Sequence, residues 1–171
     1  MDAALGQARF VSTLPFPLVI KSRYSHRGDF VGTVHGVEEL VARAGAGGEE
    51  PVVLQEFVPG NGWDVKVWVI DGELFAVRRR SSLEPDADGP DVPMSTEALG
   101  SEWTSMTLEI GRVFDLRLYG VDWLVTEHGP VVVDVNSFPG FRGVAGAEFA
   151  LISLVERLLL ARLVDERQPA V

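Results

Sequence analysis

The sequence has no cysteine and only two lysines, and each shortage limits what the chain can do. Without cysteine there are no disulfides, zinc–thiolate sites or thiol nucleophiles, and a reducing cytoplasm suits the chain. The formal charge of −10 argues against nucleic acid as a partner, since such binders need cations against phosphate. No apolar run is long and uncharged enough to span a membrane, and no signal peptide opens the chain. We therefore expect a soluble cytoplasmic protein that binds neither nucleic acid nor membrane.

Length and hydropathy patterns set the fold class. The chain has 171 residues, 46% of them hydrophobic, which is enough for one well-packed core. Short alternating segments dominate, with a few helical patterns between them, and this mixture predicts an α+β fold. We expect strands at 14–21, 30–34, 52–58, 65–70, 73–79, 119–126 and 130–136, helices at 37–44, around 106–114 and at 146–164, and a long surface loop at 82–103.

The hairpin of 119–126 and 130–136 carries the sharpest sign of chemistry. If its loop is the three residues 127–129, Asp122 lies directly across from Asp134, and Asn136 shares their face. Two opposed carboxylates repel each other, and a hard divalent cation held by carboxylate and amide oxygens would relieve the repulsion. The spacing thus predicts a Mg²⁺ site, and a solvated polar face is the open alternative.

The hairpin of 65–70 and 73–79 groups a second set of polar residues. A two-residue turn at 71–72 places Asp64 opposite Arg79, with Lys66 and Ser81 on the same face. An arginine fork beside a lysine point charge suits phosphate binding. On these residues alone, an ordinary solvated face with an Asp64–Arg79 pair is the favoured interpretation. Lys21 is a further candidate, because it ends an apolar strand where its charge must reach water or an anion.

Taken in chain order, several short segments resemble the ATP-grasp superfamily. They are Phe-Pro-Leu-Val-Ile-Lys21, Val-Leu-Gln55-Glu56-Phe57-Val58, Lys66, Arg79-x-Ser81, Tyr-Gly-Val-Asp122 and Val-Asp134-Val-Asn136-Ser-Phe-Pro-Gly140. Each segment alone is a weak match, whereas all of them in family order over residues 14–164 are specific. The resemblance implies two α+β subdomains, 14–58 and 59–164, that enclose a nucleotide cleft, with an N-terminal extension at 1–13 and a tail at 165–171.

The resemblance also implies a role for each matched residue. ATP and Mg²⁺ are the expected cofactors, with Mn²⁺ as an alternative metal. Arg79 and Lys66 would act on the transferring phosphoryl group. Lys21 would contact the phosphates of the nucleotide, and Ser81 would be a further nucleotide contact. Adenine would lie against the hinge residues Gln55, Glu56, Phe57 and Val58. The metal would bind Asp122, Asp134 and Asn136.

Two branches of the superfamily fit the sequence. RimK-like carboxylate–amine ligases share the hinge, Arg79 and the metal strand, and inositol-tetrakisphosphate kinases add a Lys-x-Arg-x-x-His segment, here Lys21, Arg23 and His26. By this resemblance Arg23, His26 and Gly140 would contact the acceptor substrate. The acidic loop at 84–91 would repel an inositol phosphate, which favours a ligase that phosphorylates a carboxylate. The kinase and a non-catalytic nucleotide-binding module are the alternatives.

One part of the family pattern has no match. Only about 13 residues precede Leu14, whereas the family has a further domain before the strand that holds Lys21. We therefore expect a fragment, a truncated product or half of an assembly, completed by an N-terminal domain or by a homo-oligomer. The other expected partner is a small-molecule or peptide acceptor.

Overall fold

The described residues of the computed structural model, 14–23, 30–46, 51–84, 87 and 89–165, divide into two units. The first unit contains the described residues up to Gly62 together with 81–84 and 87, and the second contains 63–80 and 89–165. Residues 1–13, His26 and residues 166–171 of the predicted tail lie outside the described ranges. No helix within those ranges is long and apolar enough to cross a membrane.

The first unit is a three-stranded antiparallel sheet with one helix. The strand order is β2–β1–β3, so the strand that carries Lys21 is central. The elements are β1 (Leu18–Ser22), β2 (Val31–Val34), α1 (Val37–Ala46) and β3 (Val52–Glu56). The predicted strands are confirmed, although β1 begins four residues later than expected and β3 ends two residues earlier.

Alternation along β1 separates the core of this unit from its polar face. Leu18 and Ile20 are fully buried and pack with Val34 and Leu40. Lys21 therefore points away from that core, since neighbouring side chains in a strand alternate. The register pairs Lys21 with Val53 and places Gln55 opposite Val19, so Lys21 and Gln55 share the outer face.

The second unit is a five-stranded antiparallel sheet with helices on both faces. The strand order is β6–β5–β4–β7–β8. The elements are β4 (Trp63–Ile70), β5 (Glu73–Arg80), β6 (Val92–Met94), α2 (Thr96–Leu99), α3 (Ser101–Phe114), β7 (Leu118–Thr126), β8 (Gly129–Asn136) and α4 (Ala147–Asp165).

Each face of this sheet has its own core. On one face, β4 and β7 contribute residues such as Val67, Val121 and Trp123, which pack against α3. On the other face, Trp68, Ile70 and Val77 pack against α4. Apolar residues on both faces of the central strands explain why β4 is buried along most of its length. Asp64, Lys66 and Asp122 lie on this second face as well, further along the strands from the residues that α4 covers.

The predicted register of the first hairpin is confirmed. Asp64 pairs with Arg79, Lys66 with Val77 and Trp68 with Phe75. The turn residues Asp71 and Gly72 have φ values of 52° and 89°, the left-handed region that Asp-Gly tolerates in a two-residue hairpin turn.

The second hairpin differs from its prediction, although its central pair is correct. Gly129 already pairs with Thr126, so the loop is the two residues 127–128 and the three-residue loop is wrong. A β-bulge then shifts the register between Asp122 and Trp123, and Val133 is the extra residue on β8. The bulge adds back the residue that the shorter turn removes, and Asp122 therefore still faces Asp134.

The long surface loop predicted at 82–103 is the largest error. The segment contains β6, α2 and the first turn of α3. Ser95 caps α2, where its Oγ accepts a hydrogen bond of 3.2 Å from the Ala98 N–H. β6 has only three residues and one of them is Pro93, which is tolerated because β6 is an edge strand.

Candidate active site

Three charged side chains meet on one face of the second unit. Lys66 Nζ lies 3.0 Å from Asp122 Oδ1 and donates a 3.2 Å hydrogen bond to Asp122 Oδ2. Arg79 Nη2 lies 3.4 Å from the same Oδ1. Lys66 is 17% exposed and Arg79 is 34% exposed, so these charges interact in a partly dehydrated environment.

The sheet register explains how residues distant in sequence come together. β4 is flanked by β5 and β7, and Lys66 is the direct partner of Asp122 on β7. Arg79 is the partner of Asp64 on the other side of β4. The period of two then places Lys66, Arg79 and Asp122 on the same face. The predicted grouping of Lys66 with Arg79 is thus confirmed, and the structure adds Asp122 as the carboxylate that holds both.

Asp134 lies directly across from Asp122 on β8, as the spacing predicted. We expected that a divalent cation would relieve the repulsion between these carboxylates. The structure adds a second source of positive charge, because Lys66 and Arg79 lie beside Asp122. The metal site itself stays a prediction.

The residues present nevertheless fit Mg²⁺. Asp122 Oδ1 is buried and has no well-aligned hydrogen bond, in spite of the two cations close to it. Asp134 and Asn136 follow on the same strand, and carboxylate and amide oxygens are the ligands that Mg²⁺ prefers. Among the described residues no group of three or more acidic or histidine side chains forms a metal cage. Phosphate oxygens and water would have to complete the coordination, as is usual for Mg²⁺.

The loop that follows Asn136 is tied back onto the sheet. Asn136 Oδ1 accepts a 3.0 Å hydrogen bond from the Phe138 N–H, which fixes the amide beside the carboxylates. The Trp68 indole N–H donates a 3.0 Å hydrogen bond to the carbonyl of Gly140. A Cβ built on Gly120 would lie 3.1 Å from Pro139, so the glycine allows this loop to pack on β7. These contacts join the turn after Asn136 to β4 and β7.

The first unit brings together part of the predicted nucleotide contacts. Lys21 and Gln55 lie on its outer face, and Glu56 is exposed at the end of β3. Phe57 and Val58 follow the strand, and the Phe57 N–H donates a 3.3 Å hydrogen bond to the Pro17 carbonyl. The backbone N–H of Phe57 is therefore already paired within the first unit.

The remaining predicted site residues are less informative. Ser81 is buried, and its N–H donates a 3.1 Å hydrogen bond to the Gly62 carbonyl. Arg23 is exposed at the end of β1. His26 lies outside the described residues.

Sequence reasoning missed a charged cluster around the first turn. Asp71 forms ion pairs with Arg117, whose Nε lies 2.7 Å away, and with Arg157 on α4. The hydrogen bond from Arg117, reinforced by the one from Arg157, lowers the pKa of the Asp71 carboxyl below its ordinary value of 3.8. Asp and Asn suit this turn position equally well, so the presence of Asp at 71 was the one hint of a charged contact in the sequence. The residue type alone does not show which arginines the carboxylate contacts.

A second feature that the sequence did not reveal is the packing of Arg78 and Arg80 on the ring of Trp63. Arg78 Cζ lies 4.4 Å and Arg80 Cζ lies 5.0 Å from the centre of the Trp63 ring. These two arginines therefore face away from Arg79, as strand alternation requires. Only Arg79 joins the Lys66–Asp122 cluster.

Comparison with known proteins identifies what this arrangement resembles. A family profile described as the RimK-like ATP-grasp domain matches residues 6–151. A probable alpha-L-glutamate ligase 2 from Shewanella sp. (strain MR-4) is 30% identical over 154 residues, which cover 82% of this chain and 51% of that protein. The chain spans about half the length of the curated relatives it matches.

Solved structures agree on the fold. D-alanine–D-alanine ligase from Bacillus anthracis superimposes with a TM-score of 0.68 at 20% identity, over 92% of this chain and 59% of that one. The ATP-grasp ligase PsnB, complexed with minimal precursor, Mg and ADP, gives a TM-score of 0.61 at 20% identity, over 90% and 50% of the two chains. The predicted α+β architecture of the ATP-grasp type is confirmed.

Proposed function

Because the chain belongs to the RimK-like ATP-grasp family, we propose that it binds MgATP and phosphorylates an acceptor carboxylate, which an amine then attacks. The observation that carries this proposal is the cluster in which Lys66 and Arg79 meet Asp122, one strand away from Asp134. Two fixed cations beside two carboxylates can bind phosphate oxygens and a divalent cation on a single sheet face.

The roles within this cluster follow from its chemistry. Asp122, Asp134 and Asn136 are the proposed Mg²⁺ ligands, and Mn²⁺ would suit the same oxygens. When bound, the metal neutralises the charge of the ATP phosphates. Lys66 and Arg79 are held by Asp122 before the nucleotide arrives, so their positive charge is already placed for the transferring phosphoryl group.

The nucleotide contacts on the first unit are also part of the proposal. Lys21 would bind the phosphates and Ser81 would lie beside the nucleotide. The shared face of Lys21 and Gln55 supports this assignment. The adenine would lie against the hinge residues Gln55, Glu56, Phe57 and Val58. We retain 14–58 and 59–164 as the two proposed subdomains.

The proposed reaction needs no protein nucleophile. A carboxylate oxygen attacks the γ-phosphorus, the bond to the bridging oxygen breaks, and ADP leaves with that electron pair. The amine nitrogen then attacks the acyl carbon, inorganic phosphate leaves, and the nitrogen gives up a proton. Phosphoryl transfer depends mainly on positioning of the reactants and neutralisation of their charge, and Lys66 and Arg79 can supply both.

The relatives indicate which substrates to try first. Their name, probable alpha-L-glutamate ligase, suggests L-glutamate as the amine. The acceptor would be a small molecule or a peptide with a free carboxylate, contacted by Arg23, His26 and Gly140. A further domain, corresponding to the half of the relatives that this chain does not match, would complete the acceptor site. The cytoplasm is the proposed location, since both ATP and Mg²⁺ are abundant there.

Hydroxylamine trapping tests the proposal directly. The protein, in its longest available form, is incubated with MgATP and hydroxylamine, which takes the place of the amine, and glutamyl peptides serve as trial acceptors. An acyl phosphate is captured as a hydroxamate, whereas a phosphate ester is not. We expect Arg79→Ala to reduce hydroxamate and ADP formation by about 10²–10³-fold, with a much smaller change in MgADP affinity.

Arg78→Ala is the matched control, because its side chain lies on the opposite face of the same strand. It should retain near wild-type rates. ADP release that is stimulated by an inositol phosphate, without hydroxamate, would instead support the kinase. Tight MgADP binding without acceptor-dependent turnover would support a non-catalytic module.

A further inference from the structure

Trp68 contacts two parts of the candidate active site at once. Its side chain is only 5% exposed. The ring centre lies 5.6 Å from Lys66 Nζ, which is within the range of a cation–π contact. The indole N–H donates a 3.0 Å hydrogen bond to the carbonyl of Gly140, in the turn that follows β8. One side chain therefore joins a cation of the charged cluster to a segment that begins directly after Asn136.

The strand register explains this double contact. One row across β4, β7 and β8 consists of the charged residues Lys66, Asp122 and Asp134. The next row across the same three strands consists of Trp68, Gly120 and Asn136. Each member of the second row lies two residues along its strand from the first row, so the two rows share one face of the sheet. A Cβ on Gly120 would lie 3.1 Å from Pro139, and its absence leaves room for the turn over the middle of the second row.

The two contacts of Trp68 use different parts of the side chain. Phenylalanine would keep an aromatic ring near Lys66, but it has no N–H to donate to the Gly140 carbonyl. Leucine would remove both contacts. Trp68 also belongs to the core beneath α4, and a role limited to packing would affect stability without a selective effect on catalysis.

On the basis of the proposed function, we propose that Trp68 is a positioning residue for both substrates of the reaction. Gly140 is a proposed acceptor contact, and the hydrogen bond from Trp68 holds the turn at 137–143 where the acceptor is bound. Lys66 is proposed to act on the transferring phosphoryl group, and the ring of Trp68 limits the positions that its ammonium group can take. Loss of the hydrogen bond therefore acts on acceptor binding, whereas loss of the ring acts on phosphoryl transfer.

The substitution Trp68→Phe separates these two effects. We expect it to raise the KM for a glutamyl peptide acceptor about 3–10-fold, because the turn loses its hydrogen bond to β4, and to change kcat by less than about 2-fold. Trp68→Leu should raise this KM to a similar extent and also lower kcat about 3–10-fold, since Lys66 loses the ring. Hydroxamate formation from MgATP, hydroxylamine and the peptide measures both parameters.

Trp123→Phe is the matched control. Trp123 Nε1 is buried and has no hydrogen-bond partner among the described residues, and its ring packs in the core on the opposite face of the sheet. This variant removes an indole N–H without breaking a hydrogen bond, so neither kinetic parameter should change. If Trp68→Phe misfolds, Gly120→Ala provides a second test, because its Cβ would displace Pro139 while Trp68 keeps its ring near Lys66. It should raise the acceptor KM without lowering kcat.

Amide hydrogen exchange of the nucleotide-free chain gives a readout that needs no turnover. Mass spectrometry of peptides that cover residues 138–144 should show exchange about 3–10-fold faster in Trp68→Phe than in the wild type or in Trp123→Phe. Equal exchange in the two variants, or an unchanged acceptor KM when the wild type is active, would overturn the proposal. A wild type that forms no hydroxamate would contradict the proposed function instead, and the exchange rates alone would then decide whether Trp68 holds the turn.

Discussion

At the scale of single residues, Asp71 combines two functions that can be separated. Its backbone adopts a left-handed conformation in the turn, and its carboxylate holds Arg117 and Arg157. Asn accepts the same backbone conformation but cannot form the ion pairs. The substitution Asp71→Asn therefore removes the charge and keeps the turn.

We expect Asp71→Asn to lower the free energy of unfolding by about 1 kcal/mol at neutral pH, since both arginines are half exposed and such pairs are individually weak. The pKa of Asp71 is depressed in the folded protein. Its contribution is therefore present above the unfolded value near 3.8 and is lost as the pH falls through the folded pKa. Urea unfolding from pH 7 down to pH 3 should show the two proteins converging in acid. A constant difference would exclude the ion pairs as its cause.

The two opposed carboxylates should respond differently to neutralisation. Asp122→Asn leaves Lys66 and Arg79 together without their counter-charge, so we expect a loss of about 1–3 kcal/mol in stability without nucleotide. Asp134→Asn removes a like charge opposite Asp122 and should cost less or raise stability. Thermal unfolding of the nucleotide-free variants measures the contrast.

Metal binding should respond to both substitutions in the same direction. As proposed ligands, Asp122 and Asp134 should each be needed for Mg²⁺-dependent ADP binding, and each Asn variant should weaken it at least about 10-fold. Calorimetric titration with MgADP measures this loss without any acceptor. Unchanged affinity in Asp134→Asn would remove Asp134 from the ligand set.

At the scale of elements, local chemistry explains which parts of the fold could be predicted. The first hairpin follows from period-two hydropathy and an Asp-Gly turn, both of which are local signals. The second hairpin was predicted with the correct Asp122–Asp134 pair, but a two-residue turn and a bulge at Val133 compensate each other. Bulges leave little trace in one sequence, because they depend on twist and packing. Edge strand β6, with three residues and a proline, is too short for any alternation to be visible.

The site was predictable only within each hairpin. The pairing of Lys66 with Asp122 joins strands 56 positions apart in the sequence, and no local pattern reveals that β4 and β7 are neighbours. The family resemblance grouped these residues by role, whereas the register shows the physical contact. The contact of Asp122 with two cations is therefore visible in the strand register and could not be predicted from the sequence spacing.

Helix α3 contains a glycine that the packing requires. A Cβ built on Gly111 would lie 2.6 Å from Cζ of Tyr119, a ring that is fully buried. The Tyr119 hydroxyl donates a 2.9 Å hydrogen bond to the Thr107 carbonyl, and burial raises its pKa. The ring cannot move aside without breaking that hydrogen bond, so the close approach depends on the absence of a side chain at 111.

We expect Gly111→Ala to destabilise the protein by about 1–3 kcal/mol through overpacking, which outweighs the gain of about 0.5–1 kcal/mol in helix propensity. Gly45→Ala in α1 is the control, because a Cβ there meets nothing within 4 Å. Thermal unfolding should show a decrease for the first variant and no decrease for the second. Equal effects would show that propensity alone governs both sites.

At the scale of the whole molecule, the net charge opposes association through exposed apolar residues such as Leu159 on α4. The chain carries a formal charge of −10 at pH 7, and its isoelectric point is near 4.7. Repulsion between copies limits association at neutral pH and disappears as the net charge approaches zero. We expect light scattering to rise as the pH falls from 7 to about 4.7, and Leu159→Glu to reduce that rise. An equal rise in both proteins would assign the association to other surfaces.

The distribution of tryptophan has a practical consequence for spectroscopy. All four, Trp63, Trp68, Trp103 and Trp123, belong to the second unit. Intrinsic fluorescence excited selectively at tryptophan therefore reports on that unit and does not register the opening of the first, whereas far-ultraviolet circular dichroism registers both. Trp68 lies 5.6 Å from Lys66 Nζ, so its emission is also exposed to the electric field of the candidate site. Unfolding curves from fluorescence and from circular dichroism, recorded on one sample, therefore test whether the two units unfold together. A change in Trp68 emission when MgADP is added would report nucleotide binding without any added label.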